Sequence, residues 1–150
     1  MDPIFERLAS SLENKFQELI NSEPKQINET PQDPGIYLFT EGDEHLYVGR
    51  TKNLRRRRKQ HINYKVLDAP FAFRLARENT GNMKATYTKE GSRKYLLTDN
   101  LFQDTLKLAK DKIAQMKYRC VVESDPIKQA LLEIYVAVVL KTPHNDFDTH

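Results

Sequence analysis

The chain has 150 residues, of which 39% are hydrophobic and 30% charged, with a net charge of +3. That is enough for one domain with its own core, and the longest apolar run, Ile134 to Leu140, is too short to span a bilayer. The lone cysteine, Cys120, excludes an internal disulfide and any cysteine-based zinc cluster.

The first residues carry acids and no basic run ahead of an apolar stretch, unlike a signal peptide, so a cytoplasmic protein is the default expectation. Residues 3–20 predict one amphipathic helix, with Ile4, Leu8, Leu12, Phe16 and Leu19 at three- and four-residue steps. Pro24 and the prolines at 31 and 34 keep the following linker extended. Residues 1–33 thus form a flanking helix and linker, and 34–150 the main domain.

Ile36 to Thr40 and His45 to Val48 are short, apolar runs separated by Glu41-Gly42-Asp43-Glu44, which predicts an antiparallel hairpin. Ile36 and Leu38 point to one face and Tyr37 and Phe39 to the other, so both faces need cover. Thr51 or Asn53 caps the next helix, which runs to about Asn63. Leu54, Arg57, Arg58, His61 and Ile62 share one side of it. Asp68 or Pro70 starts a helix over Phe71 to Glu78. Residues 82–97, polar and lysine-rich, read as a loop or weak hairpin. Asp99 caps a helix from Leu101 to about Met116, with Leu101, Leu108 and Ile113 expected in the core. Tyr118 to Val122 predicts a third strand. Ser124-Asp125-Pro126 starts a last helix reaching about Leu140, with an expected buried stripe of Ile127, Leu131, Ile134 and Val138. Glu133 lies off that stripe beside Ala130 and Ala137, where small neighbours leave its carboxylate room to reach a cleft.

Charge is unevenly placed. No acid occurs between Glu44 and Asp68, while Arg50, Lys52, Arg55, Arg56, Arg57, Arg58 and Lys59 all fall in that interval. Such a run is an electrostatic footprint for a polyanion. Phosphodiester hydrolysis needs charge stabilisation at phosphorus, a deprotonated water and help for the leaving oxygen. Arg57 offers a permanent planar cation, Tyr37 or Tyr47 a base if its pKa is lowered, and Glu133 an anchor for a largely hydrated Mg²⁺ or Mn²⁺.

Gly35-Ile36-Tyr37 and Tyr47-Val48-Gly49 resemble the two strand motifs of the GIY-YIG nuclease superfamily. Arg57 and His61 stand at the family's spacing on the following helix, Glu133 matches its metal-binding glutamate, and Asn145 matches its asparagine. The resemblance covers residues 34 to about 147. It implies an α/β (α+β) fold, a small, mainly antiparallel three-stranded sheet flanked by helices, here with an extra N-terminal helix and a helical insert at 80–117. It also implies one-metal hydrolysis of DNA: catalytic Tyr37, Tyr47, Arg57, His61, Glu133 and Asn145, with the metal on Glu133. Arg50, Lys52, Arg55, Arg56, Arg58 and Lys59 are the expected phosphate contacts. DNA is the expected partner, and a protein partner is one source of targeting, since no zinc finger or helix-hairpin-helix is evident. The alternative is a non-catalytic nucleic-acid-binding module on the same scaffold, which has no use for a carboxylate at Glu133.

Overall fold

The computed structural model describes residues 1–67, 69–80, 96 and 99–148. The chain divides into two compact units, Met1–Arg58 with Met116–Asn145, and Lys59–Gln115 with Asp146–His150.

The first unit is built on a three-stranded antiparallel sheet in the order β2-β1-β3, with β1 Gly35–Glu41, β2 Glu44–Thr51 and β3 Lys117–Val122. Gly42 makes the β1–β2 turn with φ of 60°, a conformation that costs glycine little. At the other end of β1, Gly35 passes so close to β3 that a Cβ there would lie 2.1 Å from the Val121 carbonyl oxygen. Small size at Gly35 is therefore a condition of the β1–β3 pairing.

The expected cover on both faces is present. Ile36, Leu38, Val48 and Val121 pack with Leu12, Phe16 and Leu19 of α2 (Leu12–Asn21) and with Leu132, Val136 and Ala137 of the last helix, α6 (Pro126–Leu140). The opposite face is aromatic. The ring of Tyr37 stacks on Tyr118 at 5.9 Å and meets Phe39 edge-on at 5.8 Å. Arg58 lies 4.2 Å above the Tyr118 ring. It comes from α3, Leu54–Ile62, whose first turn is capped by the Asn53 side chain accepting from the Arg56 amide at 3.0 Å. Asp125 caps α6 in the same way, followed by Pro126 in the first turn.

Three expectations need correction. The N-terminal segment is two helices, α1 (Pro3–Ser10) and α2, not one. Ser10 and Ser11 donate to the carbonyls of Glu6 and Leu8, and such back-bonding competes with regular helix at the junction. Only α2 packs into the core, while α1 buries no residue. On α6 the stripe is rotated: Ile127, Ile134 and Val138 are 62%, 48% and 66% exposed, whereas Gln129, Leu132, Val136 and Ala137 are buried. Gln129 is anchored by donating to the Glu123 carbonyl, which turns the helix so that a polar residue sits inside.

The second unit pairs α4 (Pro70–Thr80) with α5 (Asn100–Ala114), with Phe73 and Phe102 rings 5.0 Å apart. Asp99 caps α5 as expected. The third correction falls here: Leu101 and Leu108 are 70% and 67% exposed, and the buried face is Phe102, Leu106, Ala109, Lys110 and Ile113. A lysine in the middle of that stripe hides it from a hydrophobicity pattern. Of the segment 82–97, only Leu96 falls within the described residues, and it is helical and buried. Asp68 also lies outside them.

Candidate active site

The site forms on the aromatic face of the sheet and along the edge of β2. Register sets Tyr37 opposite Gly49. The missing side chain is filled by the tyrosine: a Cβ on Gly49 would lie 2.3 Å from the Tyr37 hydroxyl oxygen. Tyr37 is 1% exposed and Tyr47 partly exposed, with ring centroids 6.4 Å apart. Arg57, from the first half of α3, donates a hydrogen bond to the Tyr37 hydroxyl. Burial, then the neighbouring Tyr47, pushes the Tyr37 hydroxyl far above the ordinary phenol value, with Arg57 acting in the opposite sense. Burial pushes Tyr47 up to about 12, with Glu133 adding to the rise and Arg57 opposing it. Glu133 is itself raised by burial, against the charge and backbone N–H of Arg50, which favour its ionised form. Tyr37, Tyr47, Arg57 and Glu133 are thus electrostatically linked, and Arg50 joins them through Glu133.

Edge chemistry explains how Glu133 and Asn145 reach this place. β2 has β1 on one side only, so alternate backbone groups of its outer edge need partners. The chain after β3 supplies them. Leu46 O accepts from the His144 amide at 3.2 Å. The Val48 amide donates to Asn145 Oδ1 at 2.9 Å, and Asn145 Nδ2 donates to Val48 O at 2.7 Å. The Arg50 amide serves Glu133. Lys141 in the left-handed region, φ 53°, ends α6 and turns the chain back toward that edge. Asn145 therefore clamps the residue between Tyr47 and Gly49, and Thr142 Oγ1 donates to the same Oδ1 at 2.7 Å. Asn145→Ala leaves Val48 unpaired at the edge, and chemical denaturation is expected to show a loss of about 1–2 kcal/mol.

The basic run separates by task. Arg55 donates to the carbonyls of Thr30 and Asn28, and Arg58 to those of Lys25 and, through its other bond, to Thr30 Oγ1. Both arginines tie the linker to the fold. Arg50 donates to the Pro126 carbonyl at 3.2 Å and stays exposed, as do Lys52 and Arg56. Lys59 is exposed and belongs to the second unit. His61 also belongs to that unit and is fully buried, four residues after Arg57 on α3. Sequence reasoning missed Tyr118, the stacking partner of Tyr37, because its pairing depends on the β1–β3 register. It also missed the edge-clamping use of the Asn145 side chain.

Among the described residues no group of three or more His, Cys, Asp or Glu side chains is placed to hold a metal ion. Glu133 would offer a single carboxylate to a hard, mostly hydrated divalent cation, and the described residues bring together no zinc-type cage.

Residues 33–100 match the family model of the GIY-YIG catalytic domain, so the chain carries a domain of the GIY-YIG superfamily. Among curated proteins it is 31% identical over 77 residues to UvrABC system protein C of Aquifex aeolicus, covering 51% of this chain and 13% of that protein. It is 37% identical over 73 residues to the protein of the same name from Thermus thermophilus, covering 49% and 12%. The counterpart from Thermosipho africanus is 32% identical over 68 residues, covering 45% and 12%. The matched segment thus spans about an eighth of each relative's length. No solved structure matches significantly. No helix among the described residues is long and apolar enough to cross a membrane.

Proposed function

We propose that this protein is a metal-dependent endonuclease that hydrolyses phosphodiester bonds in DNA. The observation that carries the reading is the linkage of Tyr37, Tyr47, Arg57 and Glu133, with the Tyr37 hydroxyl seated over the side-chain-free position at Gly49. A binding module would gain nothing from Glu133, which adds negative charge where phosphate would lie.

Two of the roles follow from burial. Tyr37 is enclosed and its hydroxyl is engaged by Arg57, so it orients the arginine and does not meet water. Tyr47 is partly exposed and less strongly shifted, so it is the tyrosine that meets the attacking water, accepting its proton only as the phenolate, after its own proton has passed to solvent. Arg57 holds the scissile phosphate with its planar fork. Glu133 would hold a divalent ion, which would supply positive charge at the phosphate and offset the carboxylate charge that raises Tyr47. His61 is the proton relay. Lys52, Arg56 and Lys59 contact the DNA backbone, with affinity falling steeply as salt rises. The match to the GIY-YIG catalytic domain and to relatives named UvrABC system protein C supports the nuclease reading, and a partner protein is the proposed source of targeting.

Plasmid cutting by Tyr47→Phe and Tyr37→Phe tests the assignment. Tyr47→Phe is expected to lose about 10²–10⁴-fold in rate, the range of a general base, with unchanged DNA affinity. Tyr37→Phe keeps the ring stack and is expected to lose less. Equal cutting by Tyr47→Phe and wild type contradicts the assignment.

A further inference from the structure

We propose that Lys110, on the insert helix α5, is a positioning residue for His61, and that this is one task of the insert. The inference rests on the nuclease reading for its catalytic consequence, and on geometry for the rest.

Helix α3 is poorly equipped to hold itself. Of its nine residues, five in succession are Arg55 to Lys59, and only Leu54 and Ile62 are aliphatic. Like charges one turn apart repel, and there is little apolar area to pin the helix by burial. Its final carbonyls also lack intrahelical partners. Lys110 answers the last need. It is 1% exposed on the buried face of α5, beside Phe102, Leu106 and Ile113. An ammonium group placed there must be hydrogen-bonded, because burying an unpaired ion is strongly unfavourable. Its Nζ donates to the carbonyl oxygens of Gln60 at 3.1 Å and His61 at 3.4 Å. These belong to the last turn of α3, where the helix dipole favours a cation. One charged group thus holds two consecutive peptide units, and the second carries the His61 side chain. Gln60, His61 and Lys110 all lie in the second unit. The backbone from which the imidazole projects is therefore set by α5.

Two readouts test this on the full chain. The first is the NMR signal of the His61 ring in Lys110→Met, with His45 as an internal control. The His61 signal is expected to shift or broaden and that of His45 to stay. The second is a double-mutant cycle on plasmid cutting. Lys110→Met is expected to slow cutting about 10- to 100-fold, as small misplacements of catalytic groups do, with DNA affinity within about 2-fold. In a His61→Ala background Lys110→Met is expected to add nothing. If Lys110→Met does not fold, Lys110→Gln, neutral but still a donor, is read by the same two measurements. An unmoved His61 signal, or effects of the two substitutions that multiply, overturns the proposal. A wild-type protein that cuts nothing overturns the nuclease reading instead, and leaves the NMR arm to judge the positioning.

Discussion

Gly49→Ala is expected to abolish detectable plasmid cutting and to cost the fold about 1–3 kcal/mol, the usual range for overpacking a tight site. The added Cβ would sit 2.3 Å from the Tyr37 hydroxyl oxygen and 2.4 Å from the ring carbon that bears it. Tyr37 has nowhere to retreat, because Tyr118 stacks on its ring and Phe39 closes one edge. If the hydroxyl moves, Arg57 loses the oxygen to which it donates, and the phosphate-binding cation is no longer held. Stability is read by chemical denaturation and activity by plasmid cutting. The companion Tyr37→Phe/Gly49→Ala removes the clashing oxygen and is expected to recover part of the stability but not of the cutting. Wild-type stability and rate in Gly49→Ala would show that this contact does not organise the site.

Glu133→Gln separates stability from activity. The carboxyl is raised by burial, with Arg50 opposing the rise. Its folded value therefore lies above its unfolded value, so the folded state keeps this proton to higher pH. The ionised carboxylate costs stability above the folded value, and the cost disappears below the unfolded one. Without a divalent ion, Glu133→Gln at pH 7 is expected to melt no lower than wild type, and any gain is expected to vanish by about pH 3, below the usual carboxylate range. Cutting falls by about 10²–10³-fold or more in the same variant, the scale of losing one charge-stabilising group. A Glu133→Gln protein that melts well below wild type at neutral pH would place the carboxylate among the stabilising groups.

The hairpin was legible because its determinants are local: two short apolar runs, a Gly42 turn and a Thr51 to Asn53 cap lie within a short span. Tyr37, Tyr47 and Arg57 are brought together by that same hairpin and the helix after it. Helix faces were harder. In α6 apolar residues occur nearly all round, so no period singles out one side, and the anchoring of Gln129 on Glu123 decides the rotation. In α5 the buried stripe contains Lys110, whose partners on α3 lie 49 and 50 positions earlier. The basic run reads as one surface in sequence. Arg55 and Arg58 leave that surface only because the linker at Lys25 to Thr30 folds back to meet them. Asn145 was legible as a site residue through resemblance, but its task at the free edge of β2 required the strand order β2-β1-β3.

The central claim is that Glu133 and the tyrosine–arginine cluster form one metal-dependent hydrolytic site. The most direct measurement is cutting of supercoiled and branched DNA by the purified chain, with and without Mg²⁺ or Mn²⁺, beside Glu133→Gln and Arg57→Ala. The account predicts cutting only with the metal, lost in both variants while salt-sensitive DNA binding persists in Glu133→Gln. Metal-independent cutting, or cutting that survives in Glu133→Gln, would contradict it.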